Sequence, residues 1–312
     1  MTDRDPVLEV KNLKQHFNIN RKYTVKAVDG ISFKLYHGKT YGLVGESGSG
    51  KSTTGRSIIR LYKPTSGEVL FNGQNISGDL DKERTKLLKT KMQMIFQDPT
   101  ASLNPRQKVI DIIAEGLDVH KLCKNTKERE EMVYEMLETV GLSKEHANRY
   151  PHQFSGGQRQ RIGIARALIM NPSLIIADEA ISALDVSIQA QIVNLLKLLQ
   201  KKFDTAILFI AHDLSIVKYI SDHIGVMHLG HLVETGTTEE IYNNPIHPYT
   251  KSLLSAIPIA NPRLERSKKT LTYNKDEMGV DYLKGEMHNV TSTHQVLATT
   301  EEFENWTKFE NK

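Results

Sequence analysis

Residues 42–57 read "GLVGESGSGKSTTGRS", a run rich in glycine and hydroxyl side chains around one lysine. It follows the apolar run "TYGLVG" and leads into a stretch, 51–61, with a helical pattern. A flexible Gly/Ser linker has no reason to sit between a strand and a helix. Gly45, Glu46, Ser47, Gly48, Ser49, Gly50, Lys51 and Ser52 match G-x-x-x-x-G-K-[ST], and the strand–turn–helix context gives the match its meaning. Glycines let the backbone bend around an anion, so that main-chain N–H groups point inward at phosphate oxygens. The helix that follows, with Thr53 in its first turn, aims its positive end at the same phosphates. In such a site Lys51 reaches the β and γ phosphates and the Ser52 hydroxyl ligates Mg²⁺. A nucleoside triphosphate with Mg²⁺ is the expected cofactor.

A triphosphate site needs an acidic partner for the metal, usually at the end of an apolar strand beside the strand that precedes the turn. "SLIIADE" supplies it. Asp178 is expected to hold Mg²⁺ through its water shell, and Glu179 to orient or deprotonate the attacking water. Alone, two adjacent carboxylates could equally be a solvated strand end; the glycine-rich turn tips the reading. His212 ends the run "LFIAH". A lone histidine is more often structural than catalytic. Here its strand is expected beside the "LIIAD" strand, which brings the imidazole to the γ-phosphate next to Glu179.

The 312 residues suit one main body with an extra piece, since single cores stop growing near about 250 to 300 residues. With 39% hydrophobic and 25% charged residues the chain can bury a real core. The net charge of +4 is a weak excess without a basic run, which argues against a nucleic-acid partner. Cys123 is the only cysteine, so an internal disulfide framework and a multi-thiolate zinc or iron–sulfur site are excluded and a reducing cytosol is expected. Cys123 itself reads as a packing residue of the helical region. The start "MTDRDPVLEV" lacks the apolar core of a secretory signal, and runs such as "AILFIA" fall far below the ~18 residues of a membrane span. The chain is therefore not expected to cross a membrane by itself.

Apolar runs "TYGLVG", "GEVLF", "MQMIF", "SLIIAD" and "TAILFIA" alternate with helical stretches, which predicts an α/β fold with a mostly parallel sheet covered on both faces. Residues 104–150 carry apolar residues at helical spacing and no convincing strand, the pattern of an inserted helical subdomain. From about 260 the chain turns polar and irregular. It ends in "HQVLATTEEFENWTKF", which predicts a strand and a terminal helix started by a capping box at Thr299 or Thr300.

Between the glycine-rich turn and Glu179 lies "FSGGQRQRIGIARAL", and this combination resembles the ATP-binding-cassette (ABC) family. Ser155, Gly156, Gly157 and Gln158 open a helix and can bind phosphate by the same hydroxyl, amide and helix-end physics. The resemblance implies a P-loop ATPase core with an N-terminal antiparallel β subdomain, a helical subdomain at about 104–170, a cassette over 1–258 and an extension over 259–312. It implies that ATP is sandwiched between one subunit's P-loop and its partner's signature turn in a head-to-tail dimer. Gln97 in "IFQDP" matches the loop that senses Mg²⁺ and the attacking water and touches the transmembrane partner. Asp185 in "SALD" matches the loop that crosses the dimer interface. Phe17, or as second choice Tyr23, matches the aromatic that stacks on adenine, although either could be core packing.

More narrowly, "QDPTASLNPR" and "NNPIHPYTKSLLSAIP" resemble the ATP-binding subunits of oligopeptide and dipeptide importers, a group that includes nickel transporters. The tail "HQVLATTEEFENW" is similar to the ending of the F-type subunits. The resemblance implies an ATPase on the cytoplasmic face of the cell membrane. Its implied partners are a homologous ATP-binding subunit, two transmembrane permease subunits and, indirectly, an extracellular peptide-binding protein. Two departures stand out. The C-terminal cysteine cluster of many relatives, thought to hold an iron–sulfur centre, is missing, and the family's "DEPTSALD" is here "DEAISALD". A soluble cassette ATPase acting on DNA or ribosomes is the alternative class; two cassettes in one chain or a long coiled coil would favour it, and neither is present.

Overall fold

The computed structural model describes residues 5–258 and 268–308; the start of the polar stretch, 259–267, lies outside the described residues. Its main sheet has eight strands in the order β11-β12-β10-β9-β3-β8-β7-β6. Five of them run parallel: β3 (Thr40–Val44), β6 (Met92–Ile95), β7 (Leu174–Asp178), β8 (Ala206–Ile210) and β9 (His223–His228). β10 (His231–Thr237), β11 (Glu286–Asn289) and β12 (Gln295–Ala298) extend the β9 edge antiparallel. Every residue of β3, β7 and β8 is buried, as expected where both faces of a sheet are covered. Alternate side chains feed two separate cores. Ile176, Leu208 and Ile210 face one, while Ile175, Ile207 and Phe209 face the other.

The first core is closed by a four-stranded antiparallel sheet, ordered β2-β1-β4-β5, from β1 (Leu8–Asn20), β2 (Tyr23–Leu35), β4 (Ser66–Phe71) and β5 (Gln74–Asn75). "GEVLF" was expected in the parallel sheet, and here the structure differs: β4 pairs antiparallel with β1, Leu8 opposite Phe71 and Val10 opposite Val69. Its burial explains the difference. Only Val69 and Phe71 along β4 are buried, the alternation of a strand that covers a core with one face, unlike the continuous burial of β3, β7 and β8. "MQMIF" does join the parallel sheet as β6.

The second core carries the inserted helices α3 (Pro99–Ser102), α4 (Val109–His120), α5 (Thr126–Thr139) and α6 (Gly156–Leu168), with no strand among residues 104–150. α4 buries Val109, Ile112, Ile113 and Leu117, a stripe at helical period. Cys123 packs against this core with its Sγ 3.7 Å from Met132 Sδ. No helix among the described residues is long and apolar enough to cross a membrane.

The C-terminal segment continues the main sheet, β12 lying against β10 with Glu234 opposite Val296. The terminal helix is held by the expected capping box: Thr299 N–H donates to Glu302 Oε2, and Glu302 N–H donates to Thr299 Oγ1. At the seam Glu234 is fully buried; its carboxyl accepts the N–H groups of Ile246 and His247 at 2.7 and 3.1 Å, and His294 Nε2 lies 2.7 Å from Oε1. Beside it, burial pushes the His228 imidazole down to about 4 and that of His247 down to about 3. Both take up a proton near 6.5 once unfolded, so the native state loses stability as pH falls from about 6.5 toward 4. Thermal melts are expected to hold steady from pH 7 to 8 and to drop progressively below about 6.5, before most carboxylates titrate.

Candidate functional site

The glycine-rich loop runs from the end of β3 into α1 (Lys51–Ile58). Gly45, Gly48 and Gly50 take φ values of 146°, 81° and 104°, and a Cβ on Gly50 would stand 2.2 Å from the Ala27 carbonyl oxygen, so only glycine lets the loop lie against β2. Ser49 and Lys51 are buried beneath it, while Glu46, Ser47 and Gly48 form the exposed rim. Lys51 Nζ donates to Gly45 O (2.8 Å), Glu46 O (2.7 Å) and Ser49 Oγ (3.2 Å). Burial pushes its ammonium group below the ordinary lysine range, and the charges of Glu179, Asp178 and Glu46 pull it partly back.

Ser52 Oγ donates to the buried Asp178 Oδ1 at 2.6 Å. The strand that ends in Asp178 was expected beside β3, and the structure corrects this: β8 lies between β3 and β7. The helix spans the gap. A Cβ on Gly55 would come within 2.8 Å of Ile210 and 3.0 Å of Ile176, side chains of β8 and β7, so α1 rides low across both strands and delivers Ser52 to Asp178. Arg56, one turn along the same helix face, places Nη2 3.4 Å from Asp178 Oδ2.

Glu179 sits in the left-handed region at φ 47°, its N–H donating to Ile210 O, which turns its side chain off the strand end. Gln97 Nε2 donates to Glu179 Oε2 at 2.8 Å, and the exposed His212 places Nδ1 3.8 Å from Oε1. Gln97, Glu179 and His212 follow the C-terminal ends of β6, β7 and β8, the edge of a parallel sheet where ligands bind. Ala180 and Ile181, where the family pattern has Pro and Thr, are buried in the second core.

One carboxylate and one hydroxyl, Asp178 and Ser52, are a donor set for a hard cation that takes its other ligands from phosphate and water, which fits Mg²⁺. Among the described residues no cluster of three His, Cys, Asp or Glu could hold a metal without such help.

The structure thus gathers residues 45–53, Gln97, Asp178, Glu179 and His212. The signature turn stands apart. Ser155 caps α6 and the bonds of Ser155 and Gln158 answer each other, Ser155 N–H to Gln158 Oε1 and Gln158 N–H to Ser155 Oγ. Gly156 approaches Leu184, Gly157 approaches Ile188, and the exposed Asp185 opens α7 (Val186–Phe203). Phe17 meets Tyr62 edge to face at 5.3 Å, whereas Tyr23 is 60% exposed at the hairpin tip. Two contacts escaped the sequence. Arg56 had a signal, its i+4 spacing from Ser52; Tyr249, whose hydroxyl accepts the Glu46 N–H at 2.9 Å, had none.

Residues 28–182 match the ABC transporter family, and residues 233–279 match the C-terminal region of oligopeptide/dipeptide transporters. The chain is 63% identical to an oligopeptide transport ATP-binding protein of Bacillus subtilis, over 97% of this chain and 99% of that one. It is 52% identical to a dipeptide transport ATP-binding protein of Lactococcus lactis, over 99% of each chain. Among solved structures it is similar to the ATP-binding cassette MJ0796, as a dimer in a post-hydrolysis state bound to ADP and Pi, with TM-score 0.66 and 29% identity over 74% of this chain and 98% of that one. It is also similar to cbiO1 of Clostridium perfringens, part of an ABC transporter complex, with TM-score 0.70 and 26% identity over 85% of this chain and 99% of that one. With its glycine-rich strand–turn–helix loop and carboxylate pair at the C-terminal edge of the parallel sheet, the chain belongs to the ABC transporter family as an ATP-hydrolysing, ATP-binding subunit.

Proposed function

We propose that the chain powers the uptake of oligopeptides or dipeptides through separate membrane subunits. The observation that carries this reading is the match of residues 233–279 to the C-terminal region of oligopeptide/dipeptide transporters, a span that starts on β10 of the same sheet as the nucleotide site. The subunit sits peripherally on the cytoplasmic face of the membrane, pairs with a homologous but distinct ATP-binding subunit and contacts two permease subunits near Gln97. An extracellular binding protein delivers the peptide. In cells deleted for the gene, uptake of a labelled tetrapeptide is expected to fall to background and to return with the wild-type chain, while nickel uptake stays unchanged. Retained peptide uptake with lost nickel uptake would reverse the cargo.

At the site, the amides of residues 45–53 and the Lys51 ammonium hold the phosphates. Asp178 and Ser52 would hold Mg²⁺, which would supply charge neutralisation to the phosphates. Glu179 orients water and accepts its proton, Gln97 holds the Glu179 carboxylate in place, and His212 completes the other side of the γ-phosphate. Ser155, Gly156, Gly157, Gln158 and Asp185 act on the ATP of the opposite subunit, a reading supported by contacts that tie the turn to its own helix and to Leu184 and Ile188 rather than to residues 45–53. ATP bridges the two subunits and favours the closed dimer; its products do not, and the dimer opens.

Phe17 is the adenine-stacking residue. It pairs with Val25, two residues or about 7 Å along β2 from Ala27 at the loop, whereas Tyr23 lies four residues or about 13 Å away. Phe17→Ala is expected to raise the KM for ATP by about 10-fold, the scale of one aromatic–base stack, with Tyr23→Ala within about 2-fold of wild type. Steady-state ATPase assays on the two variants decide it, and the reverse pattern would assign the stack to Tyr23.

A further inference from the structure

The Gly45–Glu46 peptide is gripped on both sides. Its carbonyl accepts from Lys51 Nζ at 2.8 Å, and its N–H donates to the Tyr249 hydroxyl at 2.9 Å. In a planar trans peptide C=O and N–H point in opposite directions, so whatever holds the N–H also sets where the carbonyl points. Tyr249 therefore acts on the acceptor against which Lys51 rests. An ammonium group has three donors, and those of Lys51 are spent on Gly45 O, Glu46 O and Ser49 Oγ. Engaging phosphate means exchanging at least one of these, from a position that the loop peptide defines.

Tyr249 is itself firmly placed. It is fully enclosed in α10 (Pro248–Ser255), with the His228 ring at 4.2 Å and the Tyr273 ring at 5.4 Å. Tyr282 ties these neighbours together, its hydroxyl lying 2.6 Å from His228 Nδ1 and 3.0 Å from the Tyr273 hydroxyl. Packing alone accounts for the ring; the hydroxyl reaching a loop amide is the added feature.

We propose that Tyr249 is a positioning residue for ATP: through the Glu46 N–H it fixes the Gly45–Glu46 peptide and with it the poise of Lys51. This rests on the reading that Lys51 and its loop hold the phosphates. Tyr249→Phe keeps the buried ring and removes only the hydroxyl. In the assembled transporter, assayed well below the melting temperature, the variant is expected to raise the KM for ATP about 5-fold, the scale of one lost hydrogen bond. The kcat is expected to stay within about 2-fold, because the bond acts on the binding loop rather than on Glu179. Lys51→Ala is measured alongside. If Lys51→Ala leaves ATP hydrolysis intact, the site reading fails and takes this inference with it. If Lys51→Ala abolishes hydrolysis while Tyr249→Phe shows an unchanged or lowered KM, with or without a drop in melting temperature, the tyrosine is a packing residue and only this inference fails.

Discussion

Replacing Glu179 by glutamine is expected to lower ATP turnover by about 10²- to 10⁴-fold, the contribution of a positioned general base, while ATP affinity stays within about 2-fold. The two halves of this result come from different parts of the site. Glutamine matches glutamate in size, and its carbonyl oxygen can still accept the Gln97 N–H that now reaches Oε2 at 2.8 Å. The left-handed turn at φ 47° and the bond from the residue 179 N–H to Ile210 O involve only the main chain. The geometry therefore survives, and what disappears is the ability to take a proton from water. In the proposed site binding rests on Lys51, the loop amides and the Ser52–Asp178 pair, whose hydrogen bonds do not involve the Glu179 side chain, although the variant removes one of the charges that support the Lys51 ammonium. A further consequence is that the variant accumulates as an ATP-loaded dimer, because hydrolysis no longer removes the ligand that favours closure. Phosphate release and size-exclusion chromatography with ATP test both statements. Wild-type turnover in the variant would remove Glu179 from the chemistry.

Glu234→Leu is expected to destabilise the fold by about 3 kcal/mol or more, since it strips the acceptor from three buried donors at about 1 to 3 kcal/mol each. Leucine fills the volume but offers nothing to the N–H groups of Ile246 and His247, nor to His294 Nε2 at 2.7 Å. At about 2 to 4 °C per kcal/mol, the melting temperature should fall by at least about 6 °C. The loss is local in origin. Glu234 lies on β10 and His294 precedes β12, so the carboxyl joins the last strands of the sheet to the loop that carries His247 into α10. Limited proteolysis is expected to release the C-terminal segment first. A melting temperature within 1 °C of wild type would mean that water or rearranged side chains satisfy the donors, and that Glu234 does not hold the seam.

Local pattern carried much of this molecule. Continuous apolar runs marked β3, β7 and β8, because a strand buried on both faces has no polar positions to interrupt it. The run "GEVLF", which holds the exposed Glu68, alternates in burial, and its partner strand β1 places it in the other sheet. Within the site, the motif residues were legible because cradling phosphate demands particular backbone and side-chain types at fixed spacing. Strand order was not: nothing near Asp178 in sequence says that β8 will stand between it and the loop, or that a glycine on α1 will let the helix close the distance.

By itself the sequence determined which chemical groups are on hand, namely a glycine turn that can wrap an anion, a lysine and hydroxyl beside it, and carboxylates ending an apolar run. These are properties of a few consecutive residues, set by backbone freedom and side-chain type. Only the tertiary structure decided which distant groups hold that turn in place. Tyr249 reaches the Glu46 amide and Glu234 anchors the closing strands through contacts between segments far apart in the chain. Such pairs form because burial leaves each polar group in need of a partner, and the folded arrangement alone dictates which partner is near.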